Sequence, residues 1–297
     1  MKRTVLLLSI LFCSQITFSQ TINQIVIDDK GNPKLLGRID KSGLQQAPFN
    51  EWFEPNYDDY LVNKQVVSKL KDGLNHYTIK VFLGTWCGDS KKEVPRFYHI
   101  LDKAKFPASQ LEVVAVDNKP EAYKQAPNHE EKGLNIHRVP TFIFYKNGQE
   151  VNRIVEHPVE TLERDMLTIV TDNKYTPNYM AANYLNYLQS EKSIDSLQLE
   201  HDILVPRLAE FVKGSRELNT LGYVYLRAQE YDKALYVFDL NTQIFPYKYN
   251  VYDSLGEAYF ESKNYDLALK NYYKGLSLKP DDDNAIEMIE KIKSKIE

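Results

Sequence analysis

Trp86-Cys87-Gly88-Asp89-Ser90 follows an apolar run formed by Ile79, Val81, Phe82 and Leu83, and it precedes a helix-like segment from Lys91 to Ala104. The cysteine therefore stands where a strand ends and a helix begins. The first N–H groups of a helix have no partner inside it, and the macrodipole favours negative charge there. A thiol at such a point is biased toward the thiolate, the form that attacks other sulfurs.

Working outward, Asn63 is a helix cap and Gly73 a stop for a helix that carries Val66, Val67 and Leu70 on one face. A strand is expected from His76 to Gly84. After the cysteine helix, Leu111 to Val116 is rich in β-branched residues, whereas Asn118 to Asn135 is polar and carries no periodic pattern. Thr141 to Tyr145 and Glu150 to Glu156 alternate around Lys146-Asn147-Gly148, and Asn-Gly is the strongest short hairpin signal. Pro158 to Val170 reads as a closing amphipathic helix.

The order is strand, helix, strand, connection, hairpin, helix, with Trp86 and Cys87 at the first junction and Val139-Pro140-Thr141 opening the hairpin. Over about residues 64–172 this resembles the thioredoxin family. The resemblance implies an α/β domain with a central mixed sheet flanked by helices, and a cis Pro140 beside Cys87. It implies that the backbone of Val139 is free to pair with an extended substrate. Cys87, Ser90 and Pro140 would form the catalytic set, with Trp86, Gly88, Asp89 and Val139 as its substrate-binding surroundings. Two departures stand out: the usual Cys-x-x-Cys is Cys87-Gly88-Asp89-Ser90 here, and the strand position that often holds a buried carboxylate is Val81. A single thiolate can still attack a disulfide, but release of the mixed disulfide then needs a thiol from the substrate or another molecule. Ser90 is expected either to cap the helix or to donate to the thiolate. His137 is expected either near the cysteine as a base or at the surface.

Residues 1–19 read as a secretory signal, with Lys2 and Arg3, an apolar core from Val5 to Phe12, and small side chains near Ser19. Export to the periplasm or extracellular space follows. Cys13 raises a lipoprotein alternative, against which Phe12 stands where such signals carry a small residue. Removing the signal takes two positive charges and no acids, moving the net charge from -4 to -6. A mildly acidic chain offers no electrostatic case for nucleic acid, and no later stretch is long enough for stable membrane insertion. Cys87 is the cysteine that remains, unusual in an exported protein, where cysteines generally pair. Residues 20–63 are expected to form an extension: a hairpin around Asp29-Lys30-Gly31-Asn32-Pro33, then an aromatic cluster of Phe49, Trp52, Phe53, Tyr57 and Tyr60. Pro48 and Pro55 limit regular structure there. This extension either packs on the next domain or forms a lid beside Cys87.

From residue 173 to 297 the sequence becomes tyrosine-rich and helix-like. Leu221-Gly222, Tyr225, Tyr231, Ala234, Phe238 and Pro246 recur as Leu255-Gly256, Tyr259, Tyr265, Ala268, Tyr272 and Pro280. The period of 34 residues and these residue types look like tetratricopeptide repeats, about 215–248 and 249–282, with a capping helix at 284–297. The resemblance implies an all-α tetratricopeptide-type domain whose first helices line a partner groove with Asn219, Tyr223, Arg227, Asp253 and Glu257. That set lacks the lysines and asparagines with which chaperone-binding members hold carboxyl-terminal peptides.

The six histidines are scattered, and neither a phosphate-cradling glycine loop nor a Gly-x-Ser-x-Gly elbow is present, so neither a metal nor another cofactor is expected. Two readings stay open. One is an exported protein that engages client proteins or peptides by monothiol exchange or isomerase-like chemistry at Cys87. The other is a non-catalytic scaffold or co-chaperone that binds proteins through the thioredoxin fold and the helical groove.

Overall fold

The computed structural model describes residues 22–171 and 173–296. The expected signal sequence lies outside them. Among the described residues no helix is long and apolar enough to cross a membrane.

The first part of the chain runs β1 (Gln24–Ile27), β2 (Pro33–Ile39), α1 (Lys41–Leu44), α2 (Asn50–Asp58), α3 (Lys64–Leu74), β3 (Tyr77–Leu83), α4 (Gly88–Ala104), β4 (Leu111–Ala115), β5 (Thr141–Lys146), β6 (Gln149–Val155) and α5 (Leu162–Val170). Six strands form one sheet in the order β1-β2-β4-β3-β5-β6. β3 and β4 are parallel, with Val81 opposite Val113, and the other pairs are antiparallel. Alternation along the strands divides the core. Ile79, Val81, Leu83, Phe142 and Phe144 face α1 to α5, whereas Phe82, Val114, Val116 and Ile143 face the other way. The segment without periodic pattern and the residues just after it cover that second face through Ala126, Ile136 and Val139, with no helix longer than a single 3-10 turn at Pro120–Ala122.

Residues 22–63 belong to this core rather than forming a lid. β2 pairs with β4 through Arg38 opposite Val114, and Phe49 and Phe53 are buried against α4. Pro55 lies inside α2, contrary to the expectation that prolines would limit regular structure. Proline removes one intrahelical bond there. Burial of Phe53, which meets Tyr57 at 5.8 Å and Tyr98 at 6.0 Å between ring centroids, offsets that loss. The closing helix starts at Leu162, later than the periodicity suggests, because Thr161 caps it by accepting from Arg164 N–H.

The remainder is helical: α6 (Met180–Glu191), α7 (Ile194–Leu199), α8 (His201–Ala209), α9 (Ser215–Arg227), α10 (Tyr231–Ile244), α11 (Tyr249–Glu261), α12 (Tyr265–Leu278) and α13 (Asp283–Ile296). α9 packs on α10 and α11 on α12, and Gly222 and Gly256 lie under the rings of Phe238 and Tyr272. A β-carbon at Gly222 would fall 2.6 Å from Phe238 Cζ, so glycine sets how closely α9 and α10 approach. Tyr225 on α9 reaches back to Asn186 on α6 at 2.8 Å, and Ala285, Ile289 and Ile292 of α13 close the far end against Ala268 and Tyr272.

Candidate functional site

Cys87 is the N-cap residue of α4, with extended backbone (φ −92°, ψ 129°) and no side-chain cap bond. Its N–H donates to Gly84 O at 2.9 Å and its carbonyl accepts from Lys91 N–H at 3.0 Å, which fixes the turn from β3 into the helix. The thiol is free, half-buried, and donates to the Val139 carbonyl at 3.2 Å. The Val139–Pro140 bond is cis. Tertiary structure thus joins Cys87, Val139 and Pro140, which lie on opposite sides of the unpatterned segment.

The neighbours of Cys87 are held by the ends of the strands. Trp86 is half-buried and its indole N–H donates to Val116 O at 2.9 Å. Thr85 Oγ1 accepts from Leu35 N–H at 3.1 Å, and Lys34 forms a buried ion pair with Asp117, so β2 braces the loop that carries the site. Gly88 and Asp89 are exposed. Ser90 departs from the sequence reading. It does not cap the helix, because Cys87 occupies that position, and it is completely buried, where its hydroxyl accepts from Gly84 N–H at 3.2 Å. Its role in the fold is to hold the β3–α4 turn.

His137 is not at the surface. It is 1% exposed, its Nδ1 lies 3.3 Å from Asn135 O, and its buried Nε2 has no partner among the described residues. Burial, helped by the positive charges of Arg153, Arg138 and Lys124, pushes its pKa down to about 3, so the ring is neutral. Its ring meets Tyr179 edge-on at 5.8 Å.

Tyr123 and Lys124 are residues the sequence reading passed over. Both lie in the segment without periodicity, where a lysine reads as solvated. Lys124 is 5% exposed, and its ammonium donates to Tyr123 Oη and lies 5.9 Å from the Trp86 ring centroid. Burial, followed by the charge of Arg138, pushes its pKa down to about 7, against the opposing pull of Cys87 and Glu156. Arg138 was also missed. It pairs with Glu156 at 3.3 Å, donates to Arg216 O at 3.2 Å, and stacks over Tyr179 at 4.7 Å, which links the site to the start of the helical region.

The groove residues come together on one surface but bond mainly to each other. Asn219 donates to Ser254 at 2.9 Å, Tyr223 to Glu257 at 2.8 Å, and Arg227 pairs with Glu257. Asp253 accepts from Asn284 of α13 at 2.8 Å. One end of this surface meets the α/β region directly, because Gln125 donates to Arg227 O at 2.8 Å. Among the described residues no cluster of three or more His, Cys, Asp or Glu could hold a metal ion.

Residues 61–168 match the thioredoxin family model. Thioredoxin Asp f 29 of Aspergillus fumigatus is 31% identical over 71 residues, which are 24% of this chain. The match spans 57% of that protein's length. With the mixed sheet, the cysteine at the strand-to-helix junction and the adjoining Val139–Pro140 segment, residues 61–168 have a thioredoxin-like fold and match the thioredoxin family model, followed by helices compatible with tetratricopeptide-like repeats.

Proposed function

We propose that this is an exported thiol–disulfide exchange protein that acts on protein clients through Cys87 alone. One observation carries the reading: a half-exposed thiol at a helix N-terminus donates to the carbonyl of Val139, beside Pro140. A client strand laid along Val139 brings its disulfide to the sulfur, and a mixed disulfide forms. Ser90 cannot resolve it, so the second thiol comes from the client or from a small thiol, which favours interchange over net reduction. The helical region holds the client during that interval. Signal cleavage near Ser19 would place the reaction in an oxidising compartment, where clients carry disulfides.

The experiment compares disulfide-linked partners of the full chain with those of Cys87→Ala on non-reducing gels. Loss of the adducts in the variant is expected. Absence of any disulfide-linked partner of the unaltered chain, trapped by rapid alkylation, would overturn the reading. A non-catalytic scaffold is the second reading, favoured by the buried Ser90 that stands where a resolving thiol would be. In that case the alanine variant retains every client by non-covalent capture.

A further inference from the structure

Between α7 and α10 the helical region carries a cleft that shares no lining residue with the expected groove. Its first part, about 480 Å³, is lined by Gln189, Ile194 and Asp232 among others. The second part, about 470 Å³, has Ile194 and Asp232 in common with the first, so the two run together, and it adds Asp195, Asp239 and Tyr259. Tyr236 of α10 donates to Leu197 O of α7 at 3.0 Å, which holds the two walls in place.

Two independent features of this cleft point to a ligand. The first is its charge. Asp232 and Asp239 stand seven positions apart, two turns along one face of α10, and Asp195 joins them from the first turn of α7. Among the described residues none of these three carboxylates has a basic side chain within ion-pair distance, and Asp239 accepts only from the Gln243 amide at 3.0 Å. The lysines that line the first part are already taken, Lys192 by Glu200 and Lys233 by Glu230. The second feature is Gln189, which is 7% exposed, lines the first part, and has no partner for either Oε1 or Nε2 among the described residues. Buried amides are ordinarily hydrogen-bonded, because losing water without a replacement is costly. A glutamine amide places an acceptor beside a donor, the complement of the N–H and C=O of a peptide chain.

We propose, resting on the client-binding reading above but not on its thiol chemistry, that this cleft binds an extended, arginine-bearing segment of the client. Gln189 pairs with the segment's backbone, and the guanidinium enters among Asp195, Asp232 and Asp239 with its plane against Tyr259. Arginine suits the site better than lysine, because its planar fork of donors serves more than one carboxylate and stacks on an aromatic ring. Ile194 and Leu235 give apolar lining for the side chains on either side of it.

The test uses the purified full chain and a fluorescent, end-blocked peptide that carries an arginine between leucines and no cysteine. Its counterpart has citrulline for arginine, which keeps the shape and removes the charge. Anisotropy titrations should show binding of the arginine peptide that weakens as salt is added, and much weaker binding of the citrulline peptide. Asp195→Asn combined with Asp232→Asn, both at exposed positions, should weaken binding roughly tenfold, as loss of charge-assisted hydrogen bonds does. Gln189→Leu should weaken it roughly threefold to tenfold and leave the thermal midpoint unchanged or higher, because an amide without a partner gives way to an apolar side chain of similar size. Glu261→Gln, on the groove side where Glu261 lies 4.0 Å from Arg227, should bind like the parent. Bound peptide should slow amide exchange in residues 189–195 and 230–239. Equal binding of the two peptides, parental affinity in the asparagine variant, a loss confined to Glu261→Gln, or protection only outside those segments would each overturn the proposal. Because the peptide lacks sulfur chemistry, the two readings fail separately. Missing Cys87 adducts with intact peptide binding remove the exchange reading alone, and missing peptide binding with intact adducts removes the cleft alone.

Discussion

Gly84 lies directly beneath the indole of Trp86: a β-carbon at position 84 would sit 2.7 Å from Trp86 Cζ2 and 2.8 Å from Nε1. The ring cannot tilt away without losing its bond to Val116 O. Gly88, one residue past the cysteine, has open space where its β-carbon would be. Gly84→Ala should therefore destabilise the domain by about 1–3 kcal/mol, the usual cost of overpacking, and shift the tryptophan emission. Gly88→Ala should stay within about 0.5 kcal/mol of the parent. Urea titrations of both variants decide the matter, and equal midpoints would refute this account of the Trp86 seat.

The neutral His137 gives the fold an acid limit. The unfolded chain takes up a proton near the ordinary histidine value, while the folded ring, buried and beside Arg153 and Arg138, does so only near about 3. Stability contributed by this group is thus present above the unfolded value and lost as pH falls from about 6.5 toward 3. The slope expected from this one proton approaches about 1.4 kcal/mol per pH unit, and His137→Gln should remove it. Denaturation at several acidic pH values measures both slopes, and unchanged slopes in the variant would count against a neutral histidine.

Asp253 works in the opposite sense. Burial, with the nearby Asp282 and Glu257 charges, raises its pKa to about 6 against the hydrogen bond from Asn284. The folded state holds a proton there that the unfolded state has lost, so stability falls as pH rises from about 4 through about 6. Asp253→Asn should raise stability at neutral pH by about 1 kcal/mol after allowance for solvent screening, and should flatten that part of the profile. A loss of stability in the asparagine variant at neutral pH would contradict this reading of Asp253.

Arg138 joins the two regions. It pairs with Glu156, donates to Arg216 O and lies over Tyr179. Arg138→Ala should cost about 1–3 kcal/mol, because Glu156 loses its partner and a cation–π contact disappears. Amide exchange should accelerate in residues 174–182 and 213–217 but not in β3. Unchanged protection across those segments, measured by hydrogen exchange and mass spectrometry, would show that other contacts hold the arm.

How far the amino-acid sequence reaches can be seen from individual elements. Asn63 caps α3, the Asn147-Gly148 turn joins β5 to β6, and the repeat from Leu221 to Pro280 gives four helices, because caps, turn residues and apolar spacing act over a few positions. Cys87 at the strand-to-helix junction is legible for the same reason. The aromatic cluster is legible as apolar mass but not as part of the sheet's core, because α2 owes its place to α4 and survives Pro55 through burial alone.

The chain's local chemistry determined the order of strands and helices and put one sulfur at a helix start. Only the tertiary structure decided what surrounds that sulfur. It brought Val139 to within 3.2 Å of the thiol, sank Ser90 beneath Gly84, and buried both His137 and Lys124, the latter in a segment whose composition reads as solvated. The physical reason is that burial and charge proximity depend on residues distant along the chain. Whether a lysine is wet or dry cannot be read from its neighbours in sequence.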